Sequence, residues 1–310
     1  MKKRWVVIVI LGLVLVSALA ALLVGPKGPG PGLAAKSRGA VGIIYIEGTI
    51  VGGRNSSGLL TGLVTGSDQV LNYLNEARKD PEVKAVVLRI NSPGGSAAAS
   101  QEIGAEVQRL RRAGKPVVAS MGDVAASGGY WVAANADRIV ANPATITGSI
   151  GVIMQLGNFE ELYRKVGIDY EVIKSGAHKD MGSPARELTE KERTILQEMV
   201  NDIFDQFVEV VAEGRNLPRD QVVNLADGRI FTGRQAERLG LVDQMGNFRD
   251  AVRLAARLAG IEDRFEIREF GRLSPIERLL GEAGGAFFGQ GLVPEWLLTL
   301  RWKGDVRLVR

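Results

Sequence analysis

The 310-residue chain contains no cysteine and a single histidine, His178. Without cysteine there is no disulfide framework, no thiol nucleophile, no Cys-ligated zinc and no lipoprotein-type cysteine. One imidazole excludes HExxH zinc chemistry and any site that needs two histidines. An all-carboxylate metal site would need a ligand cluster, and the sequence shows none. A hydrolase built from this chain must use Ser, Thr, Lys or a carboxylate as nucleophile, and it has few candidates for a general base. Disorder on a large scale is excluded as well. Hydrophobic residues make up 45% and charged residues 24%, which is ordinary globular composition and enough to bury a core in one large domain or two small ones.

Acidic residues are missing from positions 1–40, where Lys2, Lys3, Arg4, Lys27, Lys36 and Arg38 give a net charge of +6. Residues 301–310 add +3, so the net +4 of the whole chain leaves the body between them at −5. The basic residues mark the two ends of a mildly acidic body, and no nucleic-acid partner is expected.

Charge is also absent from WVVIVILGLVLVSALAALLV, residues 5–24. At ~1.5 Å per residue such a helix spans ~30 Å, the thickness of a bilayer core. Lys2, Lys3 and Arg4 precede it, which places the N-terminus in the cytoplasm and the rest of the chain outside. Ala18-Leu19-Ala20 offers a competing cleavage site of signal-peptide type. The apolar run continues past it to Val24, which favours an uncleaved, single-pass anchor over residues 1–24. Residues 25–39, GPKGPGPGLAAKSRG, read as a flexible linker. A folded domain is expected over 40–270, followed by a tail over 271–310 in which apolar periodicity weakens.

Within the domain, VGIIYIE (41–47), VKAVVLRI (83–90) and Pro116–Met121 read as buried strands, separated by helices at 68–78 and 97–112. Residues 48–66, rich in Gly, Ser and Thr, read as a surface loop. Further strands are expected at 138–141, 150–154 and 170–175. Thr189 and Glu192 form a capping box that opens a long helix with an apolar stripe. Another helix is expected over 250–258. The order strand, Gly-rich turn, helix, strand predicts an α/β fold with function at the strand ends.

Two segments follow strands and are dense in small residues. In GDVAASGGYW (122–131), Ser127 lies between Ala126 and Gly128. A serine there can occupy a tight strand-to-helix turn with its hydroxyl exposed beside the next N–H. The same small side chains also suit a close helix–sheet contact. Ser92-Pro93-Gly94-Gly95 leaves backbone N–H groups bare, as an oxyanion hole requires, or forms a plain turn. A catalytic serine needs a base. His178 and lysine both occur in Lys174-Ser175-Gly176-Ala177-His178-Lys179-Asp180. A lysine has a pKa near ~10.4 in water and becomes a base at neutral pH only when desolvated or suitably partnered. Most single lysines are solvated surface charges.

The stretches LRINSPGGS (88–96), GDVAASGGYWVAANADRIVANPATITGSIGVI (122–153), KSGAHKDMGSPARELTE (174–190) and DGRIFTGRQAERLGLVD (227–243) together resemble the signal peptide peptidase A (SppA) family. The likeness covers roughly residues 40–260 and is similar to the short form of the family. It implies a ClpP/crotonase-type α/β fold of repeated ββα units and a Ser-Lys dyad. Ser127 falls on the nucleophile and Lys179 on the general base. Ser149 falls on the hydroxyl that orients that lysine, and the N–H groups of Gly94 and Gly128 fall on the oxyanion hole. His178 has no family role. No cofactor or metal is implied. The resemblance further implies peptide substrates, signal-peptide remnants above all, cleaved at the extracytoplasmic face of the membrane. It also implies a homo-octamer whose protomers share active sites. The alternatives are a crotonase-type acyl-CoA enzyme and a non-catalytic membrane scaffold.

Overall fold

The computed structural model describes residues 38–54 and 64–271. The segments 1–37, 55–63 and 272–310, including the expected anchor, linker and tail, lie outside the described residues. No described helix is long and apolar enough to cross a membrane.

The spine is a large mixed sheet. Its strands are β1 (Ala40–Glu47), β4 (Val83–Ser92), β5 (Val117–Ala126), β6 (Arg138–Ala141), β7 (Ile146–Gly148), β8 (Ile230–Thr232), β9 (Gln244–Met245) and β10 (Glu266–Phe270). They run in the order β10-β1-β4-β5-β6-β9, with β7 branching from the far end of β5 and pairing with β8. Every pairing is parallel except that of β7 with β8. The two short strands β2 (Thr49–Val51) and β3 (Val64–Gly66) pair in parallel at either end of the Gly/Ser/Thr-rich stretch.

The central strands are apolar on both faces because helices cover both. Ile44, Ile46, Val86, Leu88 and Ile90 point to one side. There they meet Val70, Leu74 and Ala77 of α1 (Ser67–Lys79) and Ile103, Val107 and Leu110 of α2 (Ala97–Arg112). Val41, Ile43, Val87 and Val118 alternate to the other side. They meet Ala251, Val252, Ala255 and Ala256 of α8 (Phe248–Leu258). The remaining described helices are α3 (Gly128–Ala134), α4 (Glu160–Val166), α5 (Glu190–Arg215), α6 (Arg219–Leu225) and α7 (Gly233–Arg238).

The expected strands at 41–47, 83–90 and 138–141 form as strands, and the helix over 97–112 has the expected bounds. The Thr189–Glu192 capping box is present at the start of α5. The helix expected from 250 begins at Phe248, because Asn247 caps it and closes a second box with Asp250. Two strand expectations are corrected. Residues 150–154 and 170–175 carry no regular strand. Their apolar residues have β-type composition, but neither segment gains a ladder partner, and a strand without one leaves its backbone groups unpaired. The third strand is longer than expected: it continues past Met121 to Ala126, so the small-residue segment starts inside the sheet.

Candidate active site

Ser127 sits where β5 ends and α3 begins, and its backbone takes φ 52° and ψ −124°. A side chain at positive φ is strained by about 1–3 kcal/mol, and such strain gathers at functional turns. The turn is held from both sides. The Ser127 N–H donates to the Gly148 carbonyl at 2.9 Å, and Ala126 pairs with Gly148. Beyond it, α3 is entirely buried. The Tyr130 hydroxyl donates to the Leu241 carbonyl at 2.8 Å, and Trp131 stacks on Phe207 of α5 with ring centroids 4.6 Å apart. The serine is half-buried at the mouth of this rigid turn.

The Ser92–Gly95 turn lies against the same elbow. Gly94 has φ +104°, and a Cβ placed on it would come 2.7 Å from both the Gly128 nitrogen and Ser127 Cβ. A Cβ on Gly128 would meet Ser100 Oγ at 2.5 Å and the Gly95 nitrogen at 3.2 Å. The glycine at 94 is therefore required by close approach of two backbones, and that at 128 by the Ser100 hydroxyl beside it.

The direction of the N–H groups separates Gly94 from Gly95. The Gly94 N–H donates to the buried Ser92 Oγ at 3.1 Å. Beside it, Ile50 bridges Gly95 in parallel by donating to the Gly94 carbonyl at 2.9 Å and accepting from the Ser96 N–H at 2.8 Å. In such a bridge the opposed residue, Gly95, bonds with neither group, so its N–H faces away from Ile50. The Gly95 N–H and the Gly128 N–H both lack an acceptor among the described residues. Two adjacent bare N–H groups beside a serine hydroxyl can hold a developing oxyanion. Gly95 is a candidate donor that the sequence did not single out. The Gly-Gly pair signalled a bare turn without telling which N–H was free.

Ser149 is brought to the same elbow through Gly148. It has φ 50° and is fixed by its own N–H, which donates to the Arg229 carbonyl at 2.8 Å. Lys179 is not joined to this group. It is exposed, on a series of tight turns over 176–183, and its ammonium makes no hydrogen bond or ion pair with a described residue. His178 is half-buried. Its Nδ1 has no hydrogen-bond partner and stands 3.9 Å from Glu192 Oε1. No hydrogen bond links it to Ser127, so the described residues contain no Ser-His pair. Among the described residues no group of three His, Asp or Glu side chains is arranged to hold a metal ion.

Residues 109–262, a span that contains Ser127, Ser149 and Lys179, match the sequence profile of peptidase family S49. A putative protease of Synechocystis sp. is 48% identical over 206 residues, covering 66% of this chain and 73% of that one. A putative protease of Methanocaldococcus jannaschii is 36% identical over 275 residues, covering 87% of each. Protease 4 of Haemophilus influenzae is 38% identical over 232 residues, which is 74% of this chain but 36% of that longer protein. A strained serine at a strand-to-helix turn, next to two N–H groups without an acceptor among the described residues, occurs here within the sequence of a peptidase family, and the chain belongs to peptidase family S49 as a serine-type peptidase.

Proposed function

We propose that the chain is a membrane-anchored endopeptidase that hydrolyses remnant signal peptides at the extracytoplasmic face, with Ser127 as nucleophile and Lys179 as general base. The observation that carries the reading is the Ser127 elbow beside the Gly95 and Gly128 N–H groups. Ser127 Oγ attacks the peptide carbonyl as neutral Lys179 takes its proton. The oxyanion that forms is held by the N–H of Gly128 and that of the Gly94-Gly95 turn. The free N–H at Gly95 favours it over Gly94 for this role. Lys179 then protonates the leaving amine, and water releases the acyl group. Ser149, locked beside the elbow, orients the lysine. A ClpP/crotonase-type arrangement of the α/β sheet belongs to the same proposal. In this proposal residues 1–24 form the anchor, 25–39 a linker, 40–270 the peptidase domain and 271–310 a tail.

No hydrogen bond joins Lys179 to Ser127 within one chain, and this supports sites shared between protomers of a homo-oligomer, an octamer in this reading. A neighbour would desolvate the exposed lysine, which is what a neutral amine needs. The segment between Ile150 and Lys174 supports the same assembly. It exposes Ile153 (83%), Ile173 (95%), Leu162, Val166 and Tyr170, more apolar surface than a solvated arm retains without a partner.

Ser127→Ala and Lys179→Ala are expected each to abolish peptide hydrolysis with assembly intact, and His178→Ala to keep most of it. An inactive, well-folded His178→Ala variant would replace the dyad with a histidine mechanism. Co-assembling the inactive Ser127→Ala and Lys179→Ala chains should restore activity, because some sites then combine an intact serine with an intact lysine. A dyad formed within one chain predicts no recovery. Absence of fluorophosphonate labelling at Ser127 in the assembled wild type would favour the scaffold alternative.

A further inference from the structure

The turn that carries Lys179 is closed by a second charged cluster for which the reaction above has no use. Asp180, the next residue, accepts two hydrogen bonds from Arg186, Nε to Oδ2 and Nη2 to Oδ1, both at 2.9 Å. The same guanidinium turns its other edge to Glu192, with Nη1 to Oε2 at 2.9 Å and Nη2 to Oε1 at 2.6 Å. It also donates to the backbone carbonyls of Glu187 and Asp180. Lys174 completes the set, donating to Asp180 Oδ1 at 2.6 Å and to the Ala177 carbonyl at 3.1 Å.

Glu192 is already the residue that closes the capping box of α5: its Oε2 accepts from the Thr189 N–H at 3.0 Å. The box settles where Glu192 sits, and Arg186 transmits that position to Asp180. The carboxylates are largely withdrawn from solvent, with side-chain exposures of 2% for Glu192 and 12% for Asp180. Two carboxylates balance one guanidinium and one ammonium, so the cluster is neutral. A lysine in place of Arg186 could not do the same work, since one point charge cannot present parallel donors to two carboxylates at once.

Only the backbone separates Asp180 from Lys179. The turns at Gly176–Lys179, His178–Met181 and Asp180–Ser183 are each closed by an N–H to carbonyl bond of 3.0–3.2 Å. The lysine side chain itself makes no hydrogen bond or ion pair among the described residues. We propose that Arg186, clasping Asp180 to Glu192, is a positioning residue for the base. It fixes the Lys179 turn to the N-terminus of α5, so that the ammonium is presented at a set place before a neighbour's serine meets it. The proposal rests on Lys179 acting as the base. It assigns to Asp180, Arg186 and Glu192 no contact with substrate.

The test compares Arg186→Leu, Asp180→Asn and Arg186→Lys in the full-length assembled enzyme, beside Lys179→Ala as control. Both kcat and KM for a short peptide are measured across pH. Loss of registration by about an ångström costs up to ~10²-fold in rate. Arg186→Leu and Asp180→Asn should therefore lower kcat by ~10-fold or more with KM little changed. Both should also alter the alkaline limb of the kcat/KM profile, because a displaced base no longer takes the serine proton from its set place. Arg186→Lys should fall between them and wild type. Should Arg186→Leu fail to assemble, Asp180→Asn decides, since it leaves the Arg186–Glu192 pair and the capping box in place. Wild-type kcat and pH profile in Asp180→Asn would overturn the proposal. So would a loss of activity that follows the folded fraction with an unchanged pH profile. An active Lys179→Ala enzyme would instead remove the base assignment on which the clasp depends.

Discussion

Gly94→Ala is the substitution whose effect the geometry defines most sharply. The added methyl would stand 2.7 Å from the Gly128 nitrogen, 2.7 Å from Ser127 Cβ and 3.0 Å from the Ala126 carbonyl oxygen. Ordinary contacts between such atoms lie beyond ~3.5 Å, so two backbones must part by close to an ångström. None of the three atoms is the end of a flexible side chain, and α3 behind them is wholly buried, so the elbow has no easy way to yield. An alanine at φ +104° adds roughly 1–2 kcal/mol of backbone strain to the clash. Gly114 supplies the control: its φ is +79° and nothing lies within 4 Å of a Cβ there. Gly114→Ala should lower Tm by a few degrees, on the scale of ~2–4 °C per kcal/mol for a domain of this size, and leave kcat/KM unchanged. Gly94→Ala should lower Tm further and reduce kcat/KM by ~10²-fold or more, since it displaces both the proposed nucleophile and a proposed oxyanion donor. Steady-state peptide hydrolysis, thermal melting and the rate of fluorophosphonate labelling of Ser127 measure the three effects. A Gly94→Ala enzyme with kcat/KM within about threefold of wild type would refute the claim that the Gly94 turn and the elbow form one rigid unit.

If Lys179 is the base, as proposed, hydrolysis should rise with pH through the neutral-to-alkaline range, because only a neutral lysine accepts a serine proton; a profile flat from acid to alkaline would contradict lysine as the base. Ser149→Ala should depress kcat while labelling of the folded protein persists. Acid should unfold the Lys179 region through the clasp. Its hydrogen bonds from Arg186 hold the Asp180 carboxyl below its ordinary value of 3.8, and those from Arg186 and Thr189 bring Glu192 from 4.5 down to about 2. Carboxylates with lowered values stabilise the fold above the ordinary range, and that contribution is lost as pH falls through the lowered values. Denaturant midpoints should therefore drop between pH ~4.5 and ~2, and the drop should be shallower in Arg186→Leu. An equal drop in both proteins would count against the clasp as its source.

Apolar runs and cap residues make much of the fold legible in the chain itself. The strands at 41–47, 83–90 and 138–141 are stretches rich in apolar and β-branched residues, and Thr189 with Glu192 marks the start of α5 through bonds between residues three apart. Such signals are local, so a linear reading retains them. The small residues around Ser127 and the Gly-Gly of the oxyanion turn are legible for a related reason, since close backbone approach limits side-chain size at those positions. What the tertiary structure alone decided is directional or relational. Which glycine N–H is bare depends on how Ile50 pairs with the turn. The segments at 150–154 and 170–175 are not strands because no partner lies alongside them, whatever their composition. Glu192 is legible as a helix cap, but its link through Arg186 to Asp180 exists only once the chain folds back and one guanidinium meets both carboxylates. Residue type sets what a group can do, but the direction of an N–H and the identity of its partner are set by contacts that a sequence encodes only through the whole fold.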